Sequence, residues 1–232
     1  MVSASKGLEQ GTDKRMTVVL GEELQVGPEQ ICALSGPNLA HEIIVGLPTS
    51  TVVASNSTSA SGAIQAIMNS SELRVYTNSD VIGTELGGAL KNVIAISAGV
   101  CDGMALGDNA KAALLTRGLA EMTRQGVAMG AEEATFSGNA GLGDLLATCF
   151  SKLSRNYRIG AALGSGSTLT EARNALGGQV AEGVTTAPSA VSLGRSQGVD
   201  MPIAEITRQI LFDGISPKEA LLRMMSRQPR AE

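Results

Sequence analysis

Apolar residues recur with helical spacing along residues 81–101, and this pattern predicts the longest helix of the chain. Asp80 follows an extended run and is a residue type that caps helix N-termini, so the helix is predicted to begin there. At about 100° per residue, the bulky apolar side chains share one broad face that we expect to face the core: Ile82, Leu86, Ala89, Leu90 and Val93. A second, narrow stripe carries small residues and one ammonium group: Thr84, Gly87, Gly88, Lys91, Ala95 and Ala98.

Before residue 79 the pattern alternates between short apolar runs and helical spacing. Every periodic segment after residue 79 is helical. This single change predicts an α/β part followed by an all-α part. The strands are expected at residues 1–7, 31–34, 50–54 and 73–76, and the helices between them at residues 14–21, 39–45 and 60–69.

Several helix ends in the second part carry local signals. Asp108 is predicted to cap a helix that runs to residue 125, with Gly126 ending it. Thr168 and Ser216 each stand three residues before a glutamate, which predicts two capping boxes. Met201 precedes a proline, and we expect another helix to open there and close near residue 213.

The pair Gly87-Gly88 in the long helix needs an explanation, because a helix-interior glycine costs roughly 1 kcal/mol against alanine. One interpretation is close packing of another backbone against the glycines, with the Lys91 stem reaching water. The other is that the small residues leave room for a ligand, which the Lys91 ammonium addresses. The helix pattern by itself leaves both open.

Residues 138–144 form a glycine-rich connection that ends in Asp144. No strand precedes it, so it does not fit a dinucleotide-binding fingerprint, which needs strand, G-x-G-x-x-G and helix together. Asp144 is interpreted either as a plain N-cap of the next helix or as a carboxylate that pairs with a cation such as Lys91.

The stretch Ser154-Arg155-Asn156 lies at a predicted helix start, with Ser154 as N-cap. A cation in the first turn opposes the helix dipole by a few tenths of a kcal/mol. An anion held there by free N–H groups, the arginine and the serine hydroxyl would explain Arg155. The alternative is a solvated face with local ion pairs.

Composition narrows the class of protein. A net charge of −4 and a pI near 5.2 argue against a general nucleic-acid or anionic-membrane surface. Three widely spaced cysteines and a single histidine, His41, which we place on the surface, predict neither a disulfide framework nor a metal site. No segment has the pattern of a signal peptide or a membrane span, so we expect a cytoplasmic protein without membrane insertion.

Seven segments, taken in order, make the sequence recognisable. They are residues 5–9, 34–40, 85–95, 107–110, 141–145, 154–156 and 178–183. Together they resemble the bacterial-type NAD(P)-dependent glycerol-3-phosphate dehydrogenases over nearly the whole chain. The resemblance implies reversible reduction of dihydroxyacetone phosphate to sn-glycerol 3-phosphate by NADH or NADPH, which supplies phospholipid synthesis.

Site residues follow from the resemblance position by position. Lys91 matches the general acid/base that exchanges a proton with the C2 oxygen. Two departures from the usual pattern are Asn38, where serine or threonine is more common, and Ala181, which interrupts Val-Val-Glu. The positions matching substrate contacts are Lys6, Gly36, Asn38, Lys91, Asp144, Ser154, Arg155 and Asn156. The positions matching cofactor contacts are Lys6, Gly36, Ala40, Arg155, Val180 and Glu182.

The resemblance also implies an architecture. Residues 1–78 would be a partial NAD(P)-binding, Rossmann-type domain lacking its G-x-G-x-x-G half. Residues 79–226 would be a helical substrate-binding and dimerisation domain similar to the C-terminal domain of 6-phosphogluconate dehydrogenase, with residues 227–232 as a tail. We expect a small phosphorylated three-carbon substrate, a homodimer when the protein is full length, and a truncated chain that is inactive alone.

Two alternatives remain beside this interpretation. One is a related dehydrogenase of the same domain plan, such as a hydroxyacid dehydrogenase or a ketopantoate reductase. The other is a non-catalytic helical module that dimerises or binds phosphorylated metabolites.

Overall fold

The computed structural model describes residues 1–228, and a four-stranded mixed sheet forms its first part. The strands lie in chain order, with β1/β2 and β3/β4 parallel and β2/β3 antiparallel. In the antiparallel pair Leu34 lies opposite Val53. The strands are β1 (Val2–Ser3), β2 (Cys32–Ser35), β3 (Thr49–Ala54) and β4 (Leu73–Asn78), and the helices of this part are α1 (Met16–Leu24), α2 (Ala40–Ile44) and α3 (Thr58–Met68).

Helices dominate the remainder of the described chain. A short π-helical turn, Asn139–Gly143, leads into one of them. The helices are α4 (Val81–Gly103), α5 (Asp108–Ala128), α6 (Glu133–Ser137), α7 (Asp144–Phe150), α8 (Arg155–Gly164), α9 (Leu169–Asn174), α10 (Glu182–Gln197), α11 (Pro202–Phe212) and α12 (Pro217–Met225).

The sheet lies between α3 and the start of α4. Side chains alternate along each strand, so neighbouring residues face opposite sides. Cys32, Val53 and Val75 pack with the apolar side of α3, whereas Ala33 and Ala54 form a small cluster with Val81 of α4. The carboxyl end of β2 is thereby placed against the central helix.

Helix α4 is the centre of the helical part, and it is buried on every side. The predicted core face is buried except for the partly exposed Ile82, and residues 83–100 are all buried, so the stripe of small residues is buried as well. Glycine allows the closest approach to α8: a Cβ atom on Gly99 would clash with the Tyr157 carbonyl oxygen, and one on Gly160 would clash with that of Ile96. The main hydrophobic core is built around this helix.

Some of the predicted helix caps are confirmed, and others were wrong. The side chains of Asp80, Ser154 and Thr168 cap their helices, and Thr168 forms the full capping box. Asp108 is not a cap, because Gly107 occupies that position and Asp108 is the first helical residue. At the Ser216 cap the capping box is not completed, because the Glu219 carboxylate bonds Arg223 instead.

Other predictions concern helix ends, the tail and the surface. Helix α5 continues past Gly126 to Ala128 rather than ending there, and a Cβ atom on Gly126 would meet the Phe136 ring, so that glycine serves packing. His41 is exposed, as predicted. In the predicted tail, Arg227 pairs with Asp200 at 2.6 Å, and residues 229–232 lie outside the described residues.

Across residues 1–228, none of the helices combines the length and the apolar character that crossing a bilayer requires.

Candidate active site

The candidate site lies on α4, where Gly87 and Gly88 precede Lys91. A Cβ atom on Gly87 would clash with the carbonyl oxygen of Ala140 in the π-helical turn, so close backbone packing explains this glycine. A Cβ atom on Gly88 would lie 2.6 Å from Ser35 Oγ and 3.4 Å from Lys6 Cγ. The second glycine therefore makes room for the end of β2 and for a lysine stem.

Lys91 carries a buried ammonium with two defined partners. Its side chain is 7% exposed, and Nζ lies 2.9 Å from Asp144 Oδ1. Nζ also donates a hydrogen bond to Thr148 Oγ1 at 2.6 Å. An ammonium has three N–H donors, so one remains for a ligand atom once these two contacts are made.

Asp144 joins two cations rather than capping a helix. It is the first residue of α7, the cap position is Gly143, and no side-chain cap is formed, so the N-cap interpretation was wrong. Its carboxylate is 1% exposed and bonds Lys91 on one oxygen and Lys6 on the other, at 2.7 Å. Ser35 Oγ also donates to Asp144 Oδ2 at 3.4 Å. The predicted pairing with Lys91 is thus present.

Lys6 comes to this cluster from the N-terminal segment. Its Nζ donates to the carbonyl oxygen of Gly36 at 2.6 Å as well as to Asp144. Burial lowers the pKa of Lys6 below its ordinary value; the Asp144 carboxylate opposes this shift, and the Lys91 ammonium adds to it. The cluster therefore contains two ammonium groups and one carboxylate, which leaves it net positive.

A buried amide chain links the cluster to two further helices. Asn92 Nδ2 donates to the carbonyl oxygen of Lys6 at 3.0 Å, and Asn156 Nδ2 donates to Asn92 Oδ1 at 3.0 Å. Asn156 Oδ1 in turn accepts from the backbone N–H of Gly183 at 2.8 Å. Through these bonds α8 and the start of α10 are fixed relative to Lys91.

This arrangement suits chemistry in which negative charge develops on an oxygen atom. A buried ammonium that is already oriented stabilises such an oxygen and donates a proton to it. In the described residues no group of three or more His, Cys, Asp or Glu side chains is placed to hold a metal ion.

Comparison with known proteins identifies the family of this chain. Residues 1–61 match the family described as NAD-dependent glycerol-3-phosphate dehydrogenase N-terminus, and residues 80–222 match its C-terminus. A Streptomyces coelicolor protein named glycerol-3-phosphate dehydrogenase with NAD(P)+ is 51% identical over 232 residues, covering 100% of this chain and 69% of that protein. The chain belongs to the NAD-dependent glycerol-3-phosphate dehydrogenase family.

Other members of the glycerol-3-phosphate dehydrogenase family support the same conclusion. A Geobacillus thermodenitrificans protein of the same name is 48% identical, covering 100% of this chain and 68% of that protein. The crystal structure of glycerol-3-phosphate dehydrogenase from Coxiella burnetii superposes with a TM-score of 0.92 at 38% identity, covering 97% of this chain and 68% of that chain. The predicted family and fold class are confirmed.

The helix start at Ser154 carries a further cation, Arg155. Ser154 Oγ accepts from the Tyr157 backbone N–H at 3.2 Å, which confirms the predicted cap. The Arg155 side chain is 41% exposed and lies 3.7 Å from a Glu182 carboxylate oxygen. The structure thus pairs two residues that were predicted near the cofactor.

The remaining predicted site residues include three that follow β2, and each has different neighbours. Gly36 has φ +128°, and a Cβ atom would lie 3.1 Å from Thr51 Cα, so backbone geometry explains this glycine. Asn38 Nδ2 donates to Thr51 Oγ1 at 3.0 Å, while Asn38 Oδ1 is buried without a hydrogen-bond partner. Ala40 and Val180 are exposed. Contacts of these residues with a ligand stay predictions.

Three polar side chains of the cluster were given no role from the sequence. Thr148 lies four residues after Asp144, a spacing that places both on one helix face and was a usable signal. Asn92 follows Lys91 directly, and Ser35 precedes the glycine after β2. Nothing local distinguishes these two from structural residues, because their partners lie far away in the sequence.

Proposed function

We propose that this chain carries the substrate-side chemistry of a glycerol-3-phosphate dehydrogenase. The reaction is the reversible conversion of dihydroxyacetone phosphate to sn-glycerol 3-phosphate with NAD(P)H. The observation that carries the proposal is the buried Lys91 ammonium, held by Asp144 and Thr148 and flanked by Lys6.

Lys91 acts as the general acid in the reducing direction. When bound, the nicotinamide supplies the hydride that adds to the C2 carbon of the ketone. Two of the three N–H donors of Lys91 are engaged by Asp144 and Thr148. The third remains to donate the proton to the C2 oxygen. In the reverse direction the neutral amine takes the proton from the C2 hydroxyl.

The phosphate binds at the start of α8. Backbone N–H groups in the first helical turn attract an anion, and Arg155 adds a charged fork beside them. The partial exposure of Arg155 and its loose 3.7 Å pair with Glu182 support this assignment. Ser154 and Asn156 hold the turn in place through Tyr157 and Gly183.

The residues at the end of β2 fit a nicotinamide or the substrate beside it. Asn38 Oδ1 is buried and lacks a donor, so an amide or hydroxyl group from a ligand would satisfy it. The Gly36 carbonyl oxygen accepts a hydrogen bond from Lys6 Nζ, which fixes the end of β2 relative to Lys6. Asn38 would orient the bound group, and Lys6 would contact the substrate.

Calorimetric titration with glycerol 3-phosphate tests the proposal on this chain. Arg155→Ala should weaken binding by about 10- to 100-fold, since charged hydrogen bonds contribute about 1.5–3 kcal/mol. Arg158→Ala is the matched control, because Arg158 lies on the same helix but bonds the Ala175 carbonyl oxygen. Glycerol without phosphate should not bind.

Equal binding by Arg155→Ala and wild type would contradict the phosphate assignment. Full turnover by the Lys91→Met variant would contradict the assignment of Lys91 as the general acid. The low activity expected of these 232 residues alone stays a prediction, and the titration does not depend on it.

The proposal also covers the metabolic role, the oligomeric state, the cellular location and the domain boundary of the protein. Supply of phospholipid synthesis is supported by the product, which is a glycerolipid backbone, and is tested by growth of a glycerol 3-phosphate auxotroph. A homodimer is supported by exposed apolar side chains such as Phe212 and Leu222 and is tested by light scattering. A cytoplasmic location is tested by cell fractionation. A domain boundary at residue 79 is tested by limited proteolysis.

A further inference from the structure

Glu85 is a buried carboxylate that lies outside the Lys91 cluster. It stands on α4 six residues before Lys91, and its side chain is 6% exposed. Its oxygens accept three hydrogen bonds: from Arg15 Nη1 at 2.6 Å, from the Thr17 backbone N–H at 2.8 Å and from Thr17 Oγ1 at 2.6 Å. Such a carboxylate needs these partners, since burying an unpaired charge is costly.

The donors to Glu85 form the start of α1. Arg15 is the N-cap residue of α1, its side chain forms no cap, and the first turn contains no acidic residue. Glu85 supplies the missing acceptor from another element and places its negative charge at the positive end of the helix. The cap of α1 is therefore located on the helix that carries Lys91.

The segment between Lys6 and Arg15 is closed on itself. Leu8 and Arg15 form an antiparallel bridge, and the Glu9 backbone N–H donates to the Lys14 carbonyl oxygen at 2.9 Å. Leu8 packs into the core of the helical part. Because the loop is closed at its base, holding Arg15 in place also restrains the residues around Lys6.

One face of α4 receives this whole segment. Glu85, Gly88 and Asn92 are spaced by three and four residues, so they lie on the same side of the helix. Asn92 binds the Lys6 carbonyl oxygen, and Gly88 leaves space for the Lys6 stem. Glu85 binds the far end of the segment at Arg15.

We propose that Glu85 is a positioning residue that seats residues 6–17 on α4 and thereby holds the Lys6 ammonium against Asp144. Its effect on substrate binding rests on the proposed function, because it acts through Lys6. The seating itself is a property of the folded chain without any ligand. The seating of the segment and its effect on substrate binding are therefore measured separately.

Hydrogen exchange followed by mass spectrometry measures the seating in the full chain. Glu85→Gln keeps the shape of the side chain but removes its charge, and exchange in residues 6–17 should become at least about tenfold faster. Thr17→Val, which removes one hydroxyl, should give a smaller increase, and Thr17→Ser should restore the wild-type rate. Unchanged exchange in both Glu85→Gln and Thr17→Val would overturn the proposal.

Glu121→Gln is the matched control for this measurement. Glu121 is also a buried carboxylate that caps a helix from another element, since it accepts from the backbone N–H groups of Ile203 and Ala204. The control should leave the exchange of residues 6–17 unchanged. Faster exchange of residues 6–17 in both variants would show general loosening and overturn the assignment to Glu85.

Titration with glycerol 3-phosphate then tests the coupling to Lys6. Glu85→Gln should weaken binding about tenfold, whereas in a Lys6→Met background the same change should have no further effect. Additive losses would overturn the action through Lys6. If the wild type does not bind the ligand, the proposed function fails, and hydrogen exchange still decides the seating.

Discussion

Replacing Asp144 by asparagine removes the charge on which the whole cluster depends. The wild-type site holds Lys6, Lys91 and Asp144 at 14%, 7% and 1% side-chain exposure. Asp144→Asn leaves two ammonium groups close together with no carboxylate between them. Because the three groups are largely buried, solvent screens their repulsion poorly.

The expected loss of stability follows from the cost of breaking a buried ion pair. Removing one partner of such a pair destabilises proteins by about 3–5 kcal/mol. For a chain of this size the corresponding fall in Tm is about 6–20 °C. Lys6→Met in the Asp144→Asn background removes one of the two unpaired cations and should recover part of this loss.

Urea unfolding followed by circular dichroism measures these differences. Glu23→Gln is the control, since it makes the same carboxylate-to-amide change at an exposed position of α1 and should alter stability by less than about 0.5 kcal/mol. The reasoning is refuted if Asp144→Asn costs less than about 1 kcal/mol, or if adding Lys6→Met makes the protein still less stable.

Three further predictions concern packing, pH and Lys91. Gly87→Ala should destabilise the folded protein by about 1–3 kcal/mol, because its Cβ would strike a carbonyl of the π-helical turn. Gly62→Ala has open space around its Cβ and should stabilise the folded protein by about 0.5–1 kcal/mol. Urea unfolding compares the two variants. Burial raises the pKa of Glu121 to about 7 from its ordinary value of 4.5, so stability should increase as pH falls between these values, and Glu121→Gln should flatten that slope. Thr148→Val should weaken glycerol 3-phosphate binding about tenfold because Lys91 loses an acceptor, and Thr148→Ser should restore it.

Features that depend on neighbouring residues were predictable from the sequence. Asp80 caps α4 as expected, and the Ser154 and Thr168 caps form, because a cap involves atoms only three residues apart. The alternation of strands and helices before residue 79 was likewise predicted. The antiparallel pairing of β2 with β3 was not, since strand direction depends on how the connection folds back.

The sequence by itself also determined the family and the catalytic candidate Lys91, because both rest on ordered local motifs. Only the tertiary structure decided what Asp144 does, since its partner Lys6 is 138 residues away and a carboxylate at a helix start is equally suited to capping. The same holds for Glu85, whose partners lie 68 and 70 residues away. Periodicity reports which faces are apolar, but charge pairing between distant segments depends on which side chains folding brings within hydrogen-bond distance.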